Sequence, residues 1–427
     1  MINSERRALV DGSHWVSPTN FDPAATEGLD FPDPVVLLDS TLRKVRYTAG
    51  ATTSLDGFLR IGAALEAVGI RQESLNLDWW GDSAPNPREL ELVREVLAAG
   101  FGFRTSVYAD TLVNNGASKP TVDPDGVVDL LAGLGATLIS PGIVPAPTPE
   151  AEVIQFSRLE RVVERAAAAG MEFTLILAQC GRRDFAQLQR AAVLAAELGA
   201  VRIDLMDSTS SLHPEAMKVF VRRVRAALPR PVPLTMHAHD DFGLATADAL
   251  AAATAGAHPD VSVDGVSYRC GFAALEEVVT ALDVLYGVDT GIRTEQLQSL
   301  ADTVMREMGV PRPRFKAVTG EYAYLKSTPG DVLGCLRDGE RSFPPVSGCL
   351  HADTVGADVR WVWDSLSTDA MARQLAVNLG HTPDDLQVTR VRSALDDAVA
   401  AIERYPRWLA PHEAEAICRS VLTTVAS

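Results

Sequence analysis

Pro233-Leu234-Thr235-Met236-His237-Ala238-His239-Asp240-Asp241-Phe242-Gly243 changes in mid-course from an apolar strand to a polar loop, and that junction is one beat of a repeating rhythm. Alternation along a strand puts both imidazoles on one face. They could bind one metal ion or one substrate, with Asp240 and Asp241 orienting the rings as acceptors. Working outward, apolar strand, polar loop and amphipathic helix recur from about residue 35 to 287. The strands are expected at Val35 to Asp39, Ser74 to Trp79, Phe103 to Ala109, Thr137 to Ile143, Glu172 to Ala178, Val201 to Asp207, Pro233 to His239 and Val263 to Arg269. They are short and continuously apolar, as in a parallel sheet covered by helices. Helices are expected at Ser54 to Val68, Arg88 to Ala99, Arg158 to Ala169, Ala186 to Leu198, Pro214 to Leu228 and Leu244 to Ala255, several closed by a glycine such as Gly69 or Gly100. Eight such units in about 250 residues predict a (β/α)8 TIM barrel. A doubly wound open sheet is the runner-up, and no Gly-rich phosphate fingerprint follows the first strand to favour it.

Chemistry in such barrels sits at the carboxyl ends of the strands. The polar residues there are Asp39 with Arg43 and Lys44, Asn76 and Asp78, Tyr108, Ser140, Gln179, Asp207 with Ser208, His237 with His239, and Arg269. Asp78 and Tyr108 read equally well as loop-capping residues. Asp39, Asn76, Gln179, Asp207, Ser208 and Arg269 are the candidate substrate-binding set, and Arg43, Lys44, His237 and His239 the candidate catalytic set.

Leu38-Asp39-Ser40-Thr41-Leu42-Arg43 resembles the Asp-Thr-Thr-Leu-Arg-Asp-Gly opening of the isopropylmalate synthase, homocitrate synthase and hydroxymethylglutaryl-CoA lyase group, the DRE-TIM metallolyases. His237 to Ala247 is similar to that group's seventh-strand signature, Val266 to Val278 to its eighth-strand segment, and Asp207-Ser208 to the Asp-Thr of its sixth. The resemblance spans the whole barrel. It implies a divalent metal (Mg, Mn or Zn) held by the Asp after the Arg, by both histidines and by an eighth-strand Asn. Here the two non-histidine positions read Lys44 and Phe272. A protonated lysine cannot ligate a hard cation, and a phenyl ring offers no lone pair. Asn76 also stands where the family has Glu, and Ala178-Gln179 where it has an acidic pair.

Three readings of Lys44 follow: a fixed cation in the metal's stead beside Arg43, a Schiff-base nucleophile, or a solvated or salt-bridging residue in a protein with a displaced metal site or none. Without a metal, His237 and His239 become acid/base groups or donors to substrate oxygens. With one, they need new oxygen partners, for which Asp39 and Asp207 are nearest by strand position.

Residues 1–32 read as an arm anchored by Trp15, packing on the barrel or a second subunit; 33–290 as the barrel; 291–360 as a linker subdomain; and 361–427 as a helical subdomain, with helices at Ala370 to Leu379, Thr389 to Ile402 and His412 to Val425. Gly320 to Pro329 resembles the approach to the His-Glu-Ser-Gly-Ile-His motif that family synthases place in a neighbouring subunit's active site. Leu325 and Gly330 replace its histidines, and His351 is a candidate substitute. With 427 residues, 47% apolar, the chain can bury a barrel core. A net charge of −17 argues against nucleic acid or anionic membrane as partner, although Arg43, Lys44, Arg182 and Arg269 make the mouth locally positive. Cys180, Cys270, Cys335, Cys349 and Cys418 have no metal-type spacing and fit reduced thiols in a cytoplasm. No apolar run is long enough for a membrane span, and Met1 to Arg7 lacks a signal-peptide core. The resemblance therefore implies a cytoplasmic, homodimeric acyltransferase that condenses an acyl thioester such as acyl-CoA with a small 2-oxo acid, with or without metal. The alternatives are an aldolase or lyase that works without CoA, and a non-catalytic binding paralogue.

Overall fold

The computed structural model describes residues 7–77, 85–109, 123–338, 348–403 and 407–424. Eight parallel strands close into a barrel: β1 Leu38–Asp39, β2 Gln72–Asn76, β3 Arg104–Ala109, β4 Leu138–Ile143, β5 Glu172–Ala178, β6 Arg202–Asp207, β7 Leu234–Ala238 and β8 His258–Val261. β8 closes the ring by pairing with β7 (Asp260 opposite His237) and with β1 (Asp260 opposite Leu38). The helices between them are α1 Leu55–Val68, α2 Pro87–Ala99, α3 Pro124–Gly133, α4 Pro149–Ala168, α5 Phe185–Glu197, α6 Pro214–Ala227, α7 Ala245–Ala253 and α8 Leu275–Tyr286. For α1, the Ser54 hydroxyl accepts from Gly57 N–H at the start, and Gly69 closes the end at φ 102.

The eighth strand is a correction. It runs from His258 to Val261, whereas Val263–Gly265 is a 3-10 turn leading into a loop. The polar residues His258 and Asp260 and the Pro259 between them hide this strand from a search for apolar runs. Asp260 is nevertheless buried, because a closed barrel supplies partners for its carboxylate.

The strand interiors are less apolar than expected. Arg202 on β6 reaches across the lumen to Gln72 on β2, 2.6 Å from its amide oxygen, and also binds Asp204, which accepts from Thr235 at 2.5 Å. The Ser140 and Thr174 hydroxyls meet at 2.7 Å. These buried polar groups are thus matched to one another.

The barrel unit covers Pro23–Arg312, beyond the expected limit of 290. Helix α9, Leu297–Met308, belongs to it: its buried stripe of Leu297, Leu300, Ala301, Val304 and Met308 packs with α1, and Met308 O accepts from Thr52 N at 2.8 Å.

A second unit joins residues 1–22 to Pro313–Ser427. The expected arm of residues 1–32 is therefore divided. Its described first part pairs Leu9–Val10 with His14–Trp15 and bonds to the 349–351 segment through Trp15 N and His351 N. Trp15 is 52% exposed, so the anchors are instead the buried Ala8 and Val16. Helices α10 Pro329–Asp338, α11 Asp369–Asn378, α12 Asp385–Ala400 and α13 Pro411–Thr424 form this unit's core around Trp363, Leu375, Val391 and Leu395.

His258 gives the barrel floor a pH signature. Its Nδ1 accepts from Val36 N–H at 3.1 Å, and burial depresses its pKa to about 4. A depressed imidazole contributes stability that is present above its ordinary pKa of 6.5 and lost as pH falls towards 4. Comparing His258→Asn with wild type in urea at pH 7 and pH 4 should show the wild type losing up to about 3 kcal/mol more than the variant. An unchanged difference contradicts this account.

Candidate active site

The site begins with the turn out of β1. Asp39 accepts from Thr41 N–H at 2.8 Å and from the Thr41 hydroxyl at 3.1 Å, which starts the short helix Thr41–Val45 at the barrel mouth. That helix carries Arg43 and Lys44. The Arg43 guanidinium lies 4.3 Å from the centre of the Tyr108 ring, and the Lys44 ammonium ends 3.2 Å from His237 Nε2.

On β7, alternation puts His237 and His239 on the same side, with their Nε2 atoms 3.3 Å apart. Asp260 Oδ2 lies 2.7 Å from His237 Nδ1, and the Gly271 carbonyl 3.0 Å from His239 Nδ1. A carboxylate and a carbonyl only accept, so each ring carries its proton on Nδ1 and presents a bare Nε2; this tautomer follows from the partners. Two bare lone pairs this close repel unless a donor or a positive charge sits beside them. Lys44 supplies it.

The Lys44 ammonium is 2% exposed and faces three rings, with centres 5.9 Å (Tyr47), 5.4 Å (Tyr268) and 5.1 Å (Phe272) away. Aromatic faces attract cations. Phe272 also packs 4.2 Å from the centre of the His237 ring. The loop that carries Tyr268 and Phe272 depends on two glycines: a Cβ on Gly265 would fall 2.7 Å from Phe272 O, and one on Gly271 2.6 Å from Gly265 O.

Burial pulls the Lys44 pKa well below its usual value and Arg43 adds to this, while Asp260 pulls it up. Burial likewise holds His237 well below the ordinary imidazole range and His239 down to about 2, and it raises Asp260 to about 6. At neutral pH both imidazoles are uncharged acceptors.

These residues do not fit the divalent metal of the resemblance. Among the described residues no three His, Cys, Asp or Glu side chains cluster as a metal site. The position facing both Nε2 atoms is bordered by an ammonium and a phenyl ring, neither of which can ligate. The two oxygen candidates taken from strand position are engaged elsewhere: Asp39 in its helix start, and Asp207 in accepting from Ser211 N, the Ser211 hydroxyl and Leu212 N at 2.7–3.0 Å.

The other sequence candidates surround this centre unequally. Asn76 is buried, and neither its amide oxygen nor its nitrogen has a hydrogen-bond partner among the described residues; Arg43 Nε is in the same state. Gln179 sits at φ 53, its N–H donating to the Ser208 hydroxyl at 3.2 Å. Arg269 is held in a two-pronged bond by Asp241 at 2.8 and 2.9 Å and donates to Ser208 O. The expected use of Asp240 and Asp241 to orient the rings is corrected: Asp240 caps Ala245 N, Asp241 holds Arg269, and Asp260 with Gly271 O does the orienting. Asp78, with the end of the expected second strand, lies outside the described residues. His351 caps the 3-10 turn Ala352–Val355 in the second unit, accepting from Asp353 N. Asp260, Tyr47 and Tyr268 are the site residues the sequence reading missed; the polar alternation His258, Asp260, Ser262 was the signal for the first.

The HMGL-like family model matches residues 149–304. The homocitrate synthase AksA of Methanopyrus kandleri is 32% identical over 323 residues, covering 75% of this chain and 78% of that protein. A second protein of that organism, provisionally named (R)-citramalate synthase CimA, is 31% identical over 377 residues, covering 86% and 69%. Among solved structures, the hydroxymethylglutaryl-CoA lyase of Pseudomonas aeruginosa superposes with a TM-score of 0.54 at 18% identity, covering 66% of this chain and 95% of that one, a likeness of fold.

The two carboxylates near the histidines differ in burial, which gives a contrast to measure. Asp260→Ala leaves His237 Nδ1–H and the Ser40 hydroxyl without their acceptor inside the barrel and should cost about 3–5 kcal/mol in urea unfolding at pH 7. Asp241→Ala, which breaks a partly exposed ion pair, should cost under about 1 kcal/mol. Equal losses would contradict the assignment of Asp260 as the buried brace.

Proposed function

Because the chain belongs to the HMGL-like family, with homocitrate synthase among its relatives, we propose that it is a carbon-carbon bond-forming acyltransferase that condenses an acyl thioester with a small 2-oxo acid. The observation that carries this reading is the pairing of two buried basic side chains at the end of β1, Arg43 and Lys44, with two neutral imidazoles at the end of β7. Condensation needs both kinds of group. Loss of a proton from the thioester's α-carbon gives an enolate; its carbon attacks the keto carbon, and the keto oxygen becomes an alkoxide that takes up a proton. Hydrolysis of the thioester then releases the free thiol.

In this reading the Arg43 and Lys44 charges face the keto oxygen and the substrate carboxylate, where fixed cations stabilise negative charge as it develops. Asn76, with its free buried amide, lines the 2-oxo acid together with Gln179 and Ser208. His239 handles the proton, and His237 is the support that holds Lys44. Arg269 shapes the mouth through Asp241 and Ser208. Asp39 and Asp207 position the turns that carry these groups. Burial already holds His239 low, and the neighbouring His237 and Lys44 hold it lower. An anionic substrate beside Lys44 offsets that positive field and makes His239 a better base.

No helix among the described residues is long and apolar enough to cross a membrane. A cytoplasmic location and a homodimer complete the proposal; the dimer rests on the family resemblance of the segment after the barrel.

The test is release of free thiol from acetyl-CoA and related thioesters across a panel of 2-oxo acids. Thiol release that depends on the keto acid is expected, with Arg43→Ala and His239→Ala each lowering kcat/KM by about 100-fold or more. If no thioester and keto acid pair yields thiol, the acyltransferase reading fails.

A further inference from the structure

The geometry points to a reaction centre that needs no divalent metal, in which the Lys44 ammonium is the built-in cation that holds the 2-oxo acid's keto oxygen. The inference rests on the acyltransferase reading for the identity of that oxygen, and it deepens it. Two independent observations converge on the Lys44 side chain. First, it lies 3.2 Å from His237 Nε2, on the lone-pair side that both imidazoles turn towards each other. Second, three aromatic rings face it at 5.1–5.9 Å, an enclosure suited to a cation, and among the described residues no three His, Cys, Asp or Glu side chains cluster to hold a metal ion.

Phe272 completes the exchange by filling the side where the family asparagine would ligate, its ring 4.2 Å from His237 and 5.9 Å from His239. Asp260 then does for Lys44, through His237, what an outer carboxylate does for a metal-bound imidazole: it fixes the tautomer so that Nε2 accepts. A consequence is that the substrate is held by two hydrogen-bonding cations, Arg43 and Lys44, instead of by chelation.

The experiment is a titration of metal-stripped protein with Mn2+, followed by calorimetry and by the paramagnetic resonance of free Mn2+, on wild type and on Lys44→Asp/Phe272→Asn. Wild type is expected to bind no stoichiometric Mn2+, and the double variant to gain a one-to-one site that is lost again on His239→Ala. One-to-one binding by wild type that disappears on His237→Ala or His239→Ala overturns the inference. So does a mass increase on Lys44 after borohydride treatment with pyruvate, which would make the amine a nucleophile. Should the double variant not fold, the wild-type titration and the borohydride experiment still decide. A second readout is thermal stabilisation by pyruvate without metal: it should survive in part in Lys44→Arg and vanish in Lys44→Met, and equal stabilisation of Lys44→Met overturns the role given to the ammonium. Failure of thiol release with every substrate would remove the acyltransferase reading and leave the Mn2+ result standing, so the two failures are distinguishable.

Discussion

A buried line of three groups, Asp260 to His237 to Lys44, sets the character of this barrel. Its links are 2.7 and 3.2 Å long, and all three members are essentially without solvent. An ammonium removed from water is costly, and a single buried carboxylate is costly too. Joined through a neutral imidazole that donates at one end and accepts at the other, they form a neutral unit whose polar groups satisfy one another. The Ser40 hydroxyl fills the second oxygen of Asp260 at 2.7 Å. Removing any member exposes the cost of the others.

The rest of the mouth is arranged around that line. The end of β1 turns at once into the Thr41–Val45 helix, which brings Lys44 inward; β8 supplies Asp260, and the loop after it bends back so that Gly271 O meets His239 and Phe272 covers His237. Residues with left-handed backbone gather at the same end: Gln179 after β5, Ser210 after β6, and Asp264 and Arg269 after β8, all at φ between 51 and 58. Each such conformation costs on the order of 1 kcal/mol, and such costs concentrate at functional sites. Here they aim the strand-end loops at one another, as when Ser210 bonds Asp241 at 2.8 Å and Asp241 in turn holds Arg269.

The sequence made the barrel legible because most of its strands are short, carry apolar residues and are separated by amphipathic helices, as in a covered parallel sheet. The eighth did not, for a physical reason. His258, Pro259 and Asp260 serve the lumen and the site, where polar residues are matched by polar partners, so the apolar signal moved downstream to Val263 and Val266. The same displacement concealed Asp260. His237 and His239 were legible from alternation alone, and Lys44 and Phe272 as departures from a known motif. That Tyr47, Tyr268 and Phe272 enclose Lys44 was not legible, since their meeting depends on how two loops far apart in sequence fold over one mouth.

The most direct test of this account is the tautomer and charge of His237 by nitrogen-15 NMR of histidine-labelled protein at neutral pH, because every role assigned at the mouth assumes that His237 gives its Nδ1 proton to Asp260 and takes a hydrogen bond from Lys44 at Nε2. The account predicts a neutral ring with a protonated Nδ1 and an unprotonated Nε2 whose shift changes in Lys44→Met. A protonated Nε2, or a doubly protonated imidazolium, would contradict it.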